Sequence, residues 1–313
     1  MSKKPLIILT GPTAVGKTAL SIDLAKSING EIISADSMQV YRKMNIGTAK
    51  ITPEEMQGVK HYLIDVLDPF EAFNVFLFRK MALEAMDGIY AAGHIPIIVG
   101  GTGFYIQSVL YDVDFTEDEV DSEYRNSLYK IAKDKGAEAL HKMLRAVDEK
   151  YAASVHANNV KRVARALEYY HQTGEKLSEH NEEMHEHESP YNFEYFVLTD
   201  DRATIYERID KRVDIMIKDG LLDEVKALMD EGYDESLVSM QGLGYKELIR
   251  YYRGEISLDE AVYIIKRDTR HFAKRQLTWF KREKVTDFLD VSVIPRDSLL
   301  DVMMGMLKEK GII

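Results

Sequence analysis

Near the N-terminus, GPTAVGKT at Gly11–Thr18 matches the pattern GxxxxGK[ST] at every fixed position. That spacing builds a phosphate cradle: the backbone of Gly11, Pro12, Thr13, Ala14, Val15 and Gly16 curls so that its amides face inward, and the helix that follows adds its positive end. Lys17 supplies a point charge, and Thr18 offers a hydroxyl to a Mg²⁺ ion bridging phosphate oxygens. A chance match in a glycine turn is the bland alternative. The strand-like run LIILT before the motif and the helical pattern after it favour the phosphate reading.

Two other segments place polar residues just past strand-like runs, where open parallel sheets bind their ligands. EIISA leads into Asp36, Ser37 and Gln39, and IPIIV leads into GGTGFY with Thr102. Each taken singly reads equally as a turn, with Asp36 as an Asx cap and the glycines at positive φ. Together, on one sheet edge, they point to a substrate site beside the phosphates, with Asp36 placed to bind magnesium or to accept a proton.

Further along, Arg208 and Arg212 lie four apart on one predicted helix. Arginine clamps phosphate well because its planar fork makes two charge-assisted bonds, although the spacing alone favours pairing with neighbouring acids on a solvated face. Between Lys266 and Lys284 eight Lys/Arg stand against two acids, in a chain whose formal charge is -11. The overall charge argues against a general nucleic-acid coat, yet Arg267, Arg270 and Lys274 form a local basic stripe that could be solvated or could hold a polyanion. Phe272, Trp279 and Phe280 beside it read as core. His180, His185 and His187 in HNEEMHEHE lack a convincing partner set and receive no metal role.

The elements that must carry these residues come in two textures. The first 110 residues alternate strand and helix patterns, with strands at 6–10, 31–35, 62–66 and 95–99 and helices at 18–26 and 76–92. This order predicts an α/β fold, a parallel sheet flanked by helices. Residues 116–195 are charge-dense, with apolar residues at helical spacing, and predict an all-helical insertion between core segments 1–115 and 196–313. A strand returns at 193–198, a long helix is expected from Arg202 to about Glu231, and SLDE at 257–260 caps another that runs to about Arg282. The 313 residues are 45% hydrophobic without a long apolar run, and there are no cysteines. Disulfides, thiolate nucleophiles and Cys-zinc sites are thus excluded, and a soluble, cytoplasmic protein is expected.

Taken together, GPTAVGKT, DSMQVYRKMNIGTAK (36–50), VGGTGFY (99–105), NNVKRVARALE (158–168), DDRATIYERIDKRV (200–213), GLGYKE (242–247) and AKRQLTWFKR (273–282) resemble the tRNA dimethylallyltransferases, or tRNA isopentenyltransferases. They occur in the family's order and span nearly the whole chain. The chain departs from the usual pattern at Asn45, where the family commonly has Asp, and in the apolar stretch FNVFLFRK at 73–80.

The resemblance implies a P-loop NTPase-like core whose cradle holds the diphosphate of dimethylallyl diphosphate. The five-carbon group would pass to N6 of adenosine 37 in tRNAs reading codons that begin with U. It assigns Asp36 as the base, Thr102 and Arg212 as further catalytic groups, and Mg²⁺ to Thr18. It places Asp36, Ser37, Met38, Gln39 and Thr102 against the tRNA. Arg125, Lys161, Arg162 and Arg165 would contact the anticodon stem-loop from the insertion, and Lys274, Arg275 and Gln276 from the other side. A monomer without membrane contact is expected. A kinase using ATP in the same loop is the alternative, although neither an ATP-base pocket nor an arginine-rich lid can be identified.

Overall fold

The computed structural model describes residues 3–111, 122–186, 188–283 and 285–313. The chain divides into two compact units, one of residues 1–110 and 190–313 and the other of residues 111–189.

The larger unit begins β1 (Lys4–Thr10), α1 (Lys17–Ile28), β2 (Gly30–Ala35), α2 (Pro53–Met56), β3 (His61–Tyr62), α3 (Val75–Ala91), β4 (Ile95–Gly100) and α4 (Gly103–Leu110). The smaller unit is helical, with α5 (Ser122–Lys135), α6 (Ala137–Val147), α7 (Glu149–Ser154), α8 (Val160–Thr173) and α9 (Leu177–Glu186). The larger unit then resumes with β5 (Tyr191–Thr199), α10 (Arg202–Lys218), α11 (Leu221–Asp230), a 3₁₀ turn at Ser239–Gln241, α12 (Tyr245–Tyr252), α13 (Leu258–Phe280), β6 (Asp287–Asp290) and α14 (Arg296–Glu309).

All six strands run parallel, in the order β3-β2-β4-β1-β5-β6. A parallel sheet covered on both faces needs strands that are apolar throughout, and Leu6, Ile7, Ile8 and Leu9 are each 0% exposed. Helix α3 buries Phe78, Ala82, Ala85, Met86 and Ile89, one stripe of a 3.6-residue repeat. Phe73 and Phe78 join Tyr41 and Tyr105 in an aromatic cluster, so the two buried aromatics of the segment 73–80 belong to the core.

Three boundaries differ from the sequence expectation for identifiable reasons. The strand expected at 62–66 stops at Tyr62, since Leu63 (φ 62) and Asp65 (φ 54) are left-handed and cannot continue a ladder. The long helix expected from 202 to 231 is broken at Gly220 (φ 101), whose left-handed backbone starts a new helix although the apolar periodicity runs on. The insertion ends before Tyr191, where β5 begins. Its expected start near 116 lies outside the described residues.

Register fixes where the functional loops emerge. Thr10 sits opposite Gly100, Gly100 opposite Ala35, and Thr10 opposite Val197. The loops after β1, β2, β4 and β5 therefore leave one edge of the sheet together. On one side of β1 lies β4, reached after β2; on the other lies β5, so the chain order reverses there, the usual place for a ligand crevice.

Candidate active site

The glycine loop connects β1 to α1. Gly11 has φ 144, and a Cβ there would stand 2.5 Å from the Leu198 carbonyl, so no other residue fits. Ala14 also holds a left-handed backbone (φ 64), a conformation that costs a non-glycine residue roughly 1 kcal/mol and tends to persist at ligand sites. Lys17 Nζ donates to the carbonyls of Gly11 (2.9 Å) and Pro12 (2.8 Å), folding the loop around its own cation. Burial, and after it the Arg212 guanidinium, holds the Lys17 ammonium down to about 7 against the opposing pull of Asp36.

Asp36 follows the last residue of β2. Its Oδ1 accepts from the N–H of Met38 (2.8 Å) and Gln39 (3.3 Å), so it is an Asx cap as well as a site residue. Burial pushes its carboxyl above the ordinary range, opposed by those two N–H groups and by Lys17. A carboxylate raised in this way is a stronger proton acceptor. Arg212 comes from α10 and makes no hydrogen bond or ion pair among the described residues; burial lowers its pKa. Its neighbour Arg208 instead pairs with Asp200 at 2.7 Å, so only one member of the arginine pair is left for a ligand.

The glycines of GGTG serve close approach, which corrects the positive-φ expectation. A Cβ would meet the Ala35 backbone at 2.4 Å from position 100, Gln276 Nε2 at 2.0 Å from position 101, and the Trp279 ring at 2.2 Å from position 103. Thr102 is tied by its own N–H to the Ala35 carbonyl at 3.2 Å, which fixes it beside Asp36.

A cavity of about 360 Å³ opens among these groups. Thr13, Asp36, Ser37, Met38, Thr102, Arg212, Arg275 and Gln276 line it, together with an apolar wall of Ile209, Val213, Met216, Leu221, Leu243, Ile265 and Phe272. Polar and apolar walls face one space. The site thus suits a ligand with an anionic head and a short hydrocarbon, next to a carboxylate able to take a proton.

Several expected tRNA contacts have other partners. Gln276, expected on an outward surface, is 6% exposed; its Oε1 accepts from Thr13 N–H (2.9 Å) and its Nε2 donates to the Gly101 carbonyl (3.1 Å). It is a strut joining the phosphate loop to the β4 loop, which sequence spacing does not reveal. Within the basic stripe Arg270 pairs with Asp210 and Arg267 with Asp268, while Lys274 and Arg275 are exposed. Lys284 lies outside the described residues. In the helical unit Arg125 is committed to the buried Glu168 and Arg165, though exposed, stands 3.6 Å from the same carboxylate, whereas Lys161 and Arg162 are exposed along α8. His180 rests against the Tyr169 ring; the side chains of His185 and His187 lie outside the described residues.

Thr18 is exposed in the first turn of α1. Among the described residues no group of three His, Asp or Glu could hold a metal by itself. A lone hydroxyl fits a hard cation such as Mg²⁺ that takes its other ligands from phosphate oxygens and water.

Fold and glycine loop together define a P-loop-type α/β protein. The family model described as IPP transferase matches residues 39–283, and that described as isopentenyl transferase matches residues 4–70. A protein of Lachnoclostridium phytofermentans named tRNA dimethylallyltransferase is 60% identical over 99% of both chains. The crystal structure of the tRNA isopentenylpyrophosphate transferase from Bacillus halodurans is similar with a TM-score of 0.74 and 43% identity, covering 99% of this chain and 98% of that one. A eukaryotic dimethylallyltransferase described as acting on tRNA gives a TM-score of 0.83 at 28% identity, over 99% of this chain and 79% of that one. The chain belongs to the IPP transferase family.

Proposed function

We propose that the protein transfers a dimethylallyl group from dimethylallyl diphosphate to N6 of adenosine 37 in tRNA. The observation that carries this reading is the single cavity in which Asp36 and Arg212 face an apolar wall beside the phosphate loop. The relatives' names point the same way.

The diphosphate lies on the amides of the Gly11–Gly16 loop, with Lys17 and Arg212 matching the charge that grows as it departs. Thr18 would hold a Mg²⁺ ion, whose charge would offset that of the diphosphate. The five-carbon group extends along Val213, Leu221 and Phe272. An exocyclic adenine amine is a weak nucleophile because its lone pair is delocalised into the ring. As the N6–carbon bond forms and the carbon–oxygen bond to diphosphate breaks, Asp36 takes the N6 proton, and pyrophosphate leaves with the bonding pair.

Adenosine 37 reaches this position only when turned out of the anticodon loop, an inexpensive step for an unpaired base. Ser37, Met38 and Thr102 line the cavity for it, with Gln39 next in the chain. Lys161, Arg162 and Arg165 on α8, with Lys274 and Arg275 on α13, supply exposed cations for tRNA phosphates. A monomer acting in the cytoplasm belongs to this reading, the compartment following from the tRNA substrate. Among the described residues no helix is long and apolar enough to cross a membrane.

The test is incubation with unmodified tRNA, Mg²⁺ and labelled dimethylallyl diphosphate. Label at adenosine 37 is the expected result; phosphorylation that requires ATP, with no label in the RNA, would overturn the reading.

A further inference from the structure

The loop after β2 carries three successive backbone N–H groups that converge on one carboxylate belonging to a distant helix. Glu224, in the first turn of α11, accepts from Asn45 N–H (2.8 Å) and Ile46 N–H (2.7 Å) on Oε2, and from Gly47 N–H (3.0 Å) on Oε1. The Tyr245 hydroxyl donates to the same Oε1 at 2.6 Å. Consecutive inward-facing amides form an anion-binding nest, and here the anion is the protein's own.

This cluster is continuous with the cavity. Gly47, Thr48, Ala49, Leu221 and Tyr245 all line it, so Glu224 joins the two walls from behind. The Tyr245 ring sits where a Cβ on Gly47 would come within 2.5 Å, leaving that contact no slack. The Gln39 side-chain amide donates to the carbonyls of Thr48 (3.3 Å) and Ala49 (3.2 Å), and the Gln39 backbone N–H donates to Asp36 (3.3 Å). A path of hydrogen bonds therefore runs from Glu224 through residues 45–49 and Gln39 to Asp36. The phosphate loop is held separately, by Gln276 and by Lys17.

We propose that Glu224, assisted by Tyr245, is a positioning residue for the transfer step, fixing the acceptor-side wall and, through it, the carboxylate of Asp36. The inference rests on the transferase reading. Because the donor's head is held by the other loop, losing Glu224 should slow turnover without weakening donor binding. Displacements of about 1 Å at such a distance can cost up to roughly a hundredfold.

The experiment compares Glu224→Gln, Glu224→Asp, Tyr245→Phe and, as a control at the C-terminal end of the same helix, Glu231→Gln. In Glu224→Gln an amide N–H₂ faces N–H donors where an acceptor is needed. The expected kcat is about tenfold to a hundredfold lower, with KM for dimethylallyl diphosphate within about twofold of the wild type. Glu224→Asp should recover part of the loss, Tyr245→Phe should lose about two- to fivefold, and Glu231→Gln should match the wild type. Unchanged kcat in Glu224→Gln, or a loss equal to the loss of folded protein, overturns the proposal, as does a rise in donor KM at unchanged kcat. Amide exchange separates this from failure of the transferase reading: if even the wild type transfers no label, exchange at Asn45–Gly47 decides. Loss of protection there in Glu224→Gln, with the phosphate loop unchanged, supports the tie; retained protection overturns it.

Discussion

Two groups of charged side chains, one in each unit, are treated in opposite ways. In the helical unit Glu168 is 0% exposed and well supplied with cations: Arg125 Nε donates to it at 3.0 Å, and Arg165 stands 3.6 Å away. In the larger unit Lys17 is satisfied only by two backbone carbonyls, and Arg212 makes no hydrogen bond or ion pair among the described residues. Burial lowers the pKa of Lys17 and Arg212 and raises that of Asp36. Charges that serve the fold are matched with one another, since an unpaired buried ion costs several kcal/mol. Lys17 and Arg212 have no acid bonded to them among the described residues, as charges kept for an anionic ligand would.

This contrast breaks most sharply at Asp36. Asp36→Ala should lower kcat by about a hundredfold or more while tRNA affinity changes little, because the proton acceptor acts in the chemical step. Turnover rates and a filter-binding titration check it, and wild-type turnover would place Asp36 among the merely structural caps.

At the paired cluster the loss should appear in stability instead. Arg125→Ala should destabilise the helical unit by about 2 kcal/mol, less than the roughly 3–5 of a fully buried pair because Arg125 is partly solvated and Arg165 remains. Hydrogen exchange across residues 122–186 of the full chain reads this directly. Protection equal to the wild type would erase the distinction between the two clusters.

Least in size is the pH response of Lys17. In the free enzyme its pKa is about 7, so above that pH the ammonium is increasingly neutral, while a bound diphosphate favours the protonated form. Donor kcat/KM should therefore fall as pH rises beyond about 7, by up to about tenfold per unit. On the acid side Asp36, its carboxyl raised by burial, should set a limb displaced above the usual carboxylate range. A profile flat through the alkaline range would mean that Lys17 does not meet the diphosphate as a cation.

What was legible in the chain follows the range of the interactions. GPTAVGKT announced its loop because every requirement lies within eight residues. Asp36 and Thr102 were found because they follow apolar runs that form adjacent parallel strands. Strand β6, only Asp287–Asp290, escaped notice because four residues carry too little pattern, and the break at Gly220 hid within an unbroken apolar period. The resemblance alone assigns Gln276 to the RNA, whereas the fold uses it as an internal strut.

The sequence by itself determined the phosphate cradle, the strand ends that carry Asp36 and Thr102, and the helical texture of the insertion. Such features depend on local backbone geometry and short-period burial, which residue type and spacing encode. Only the tertiary structure decided which cations are spent on acids and which stay open, and which distant groups lock the cavity. Glu224 reaches Asn45 across 179 positions and Gln276 reaches Thr13 across 263. No periodicity records partners so far apart, because a carboxylate or an amide satisfies any donor that folding brings within about 3 Å of it.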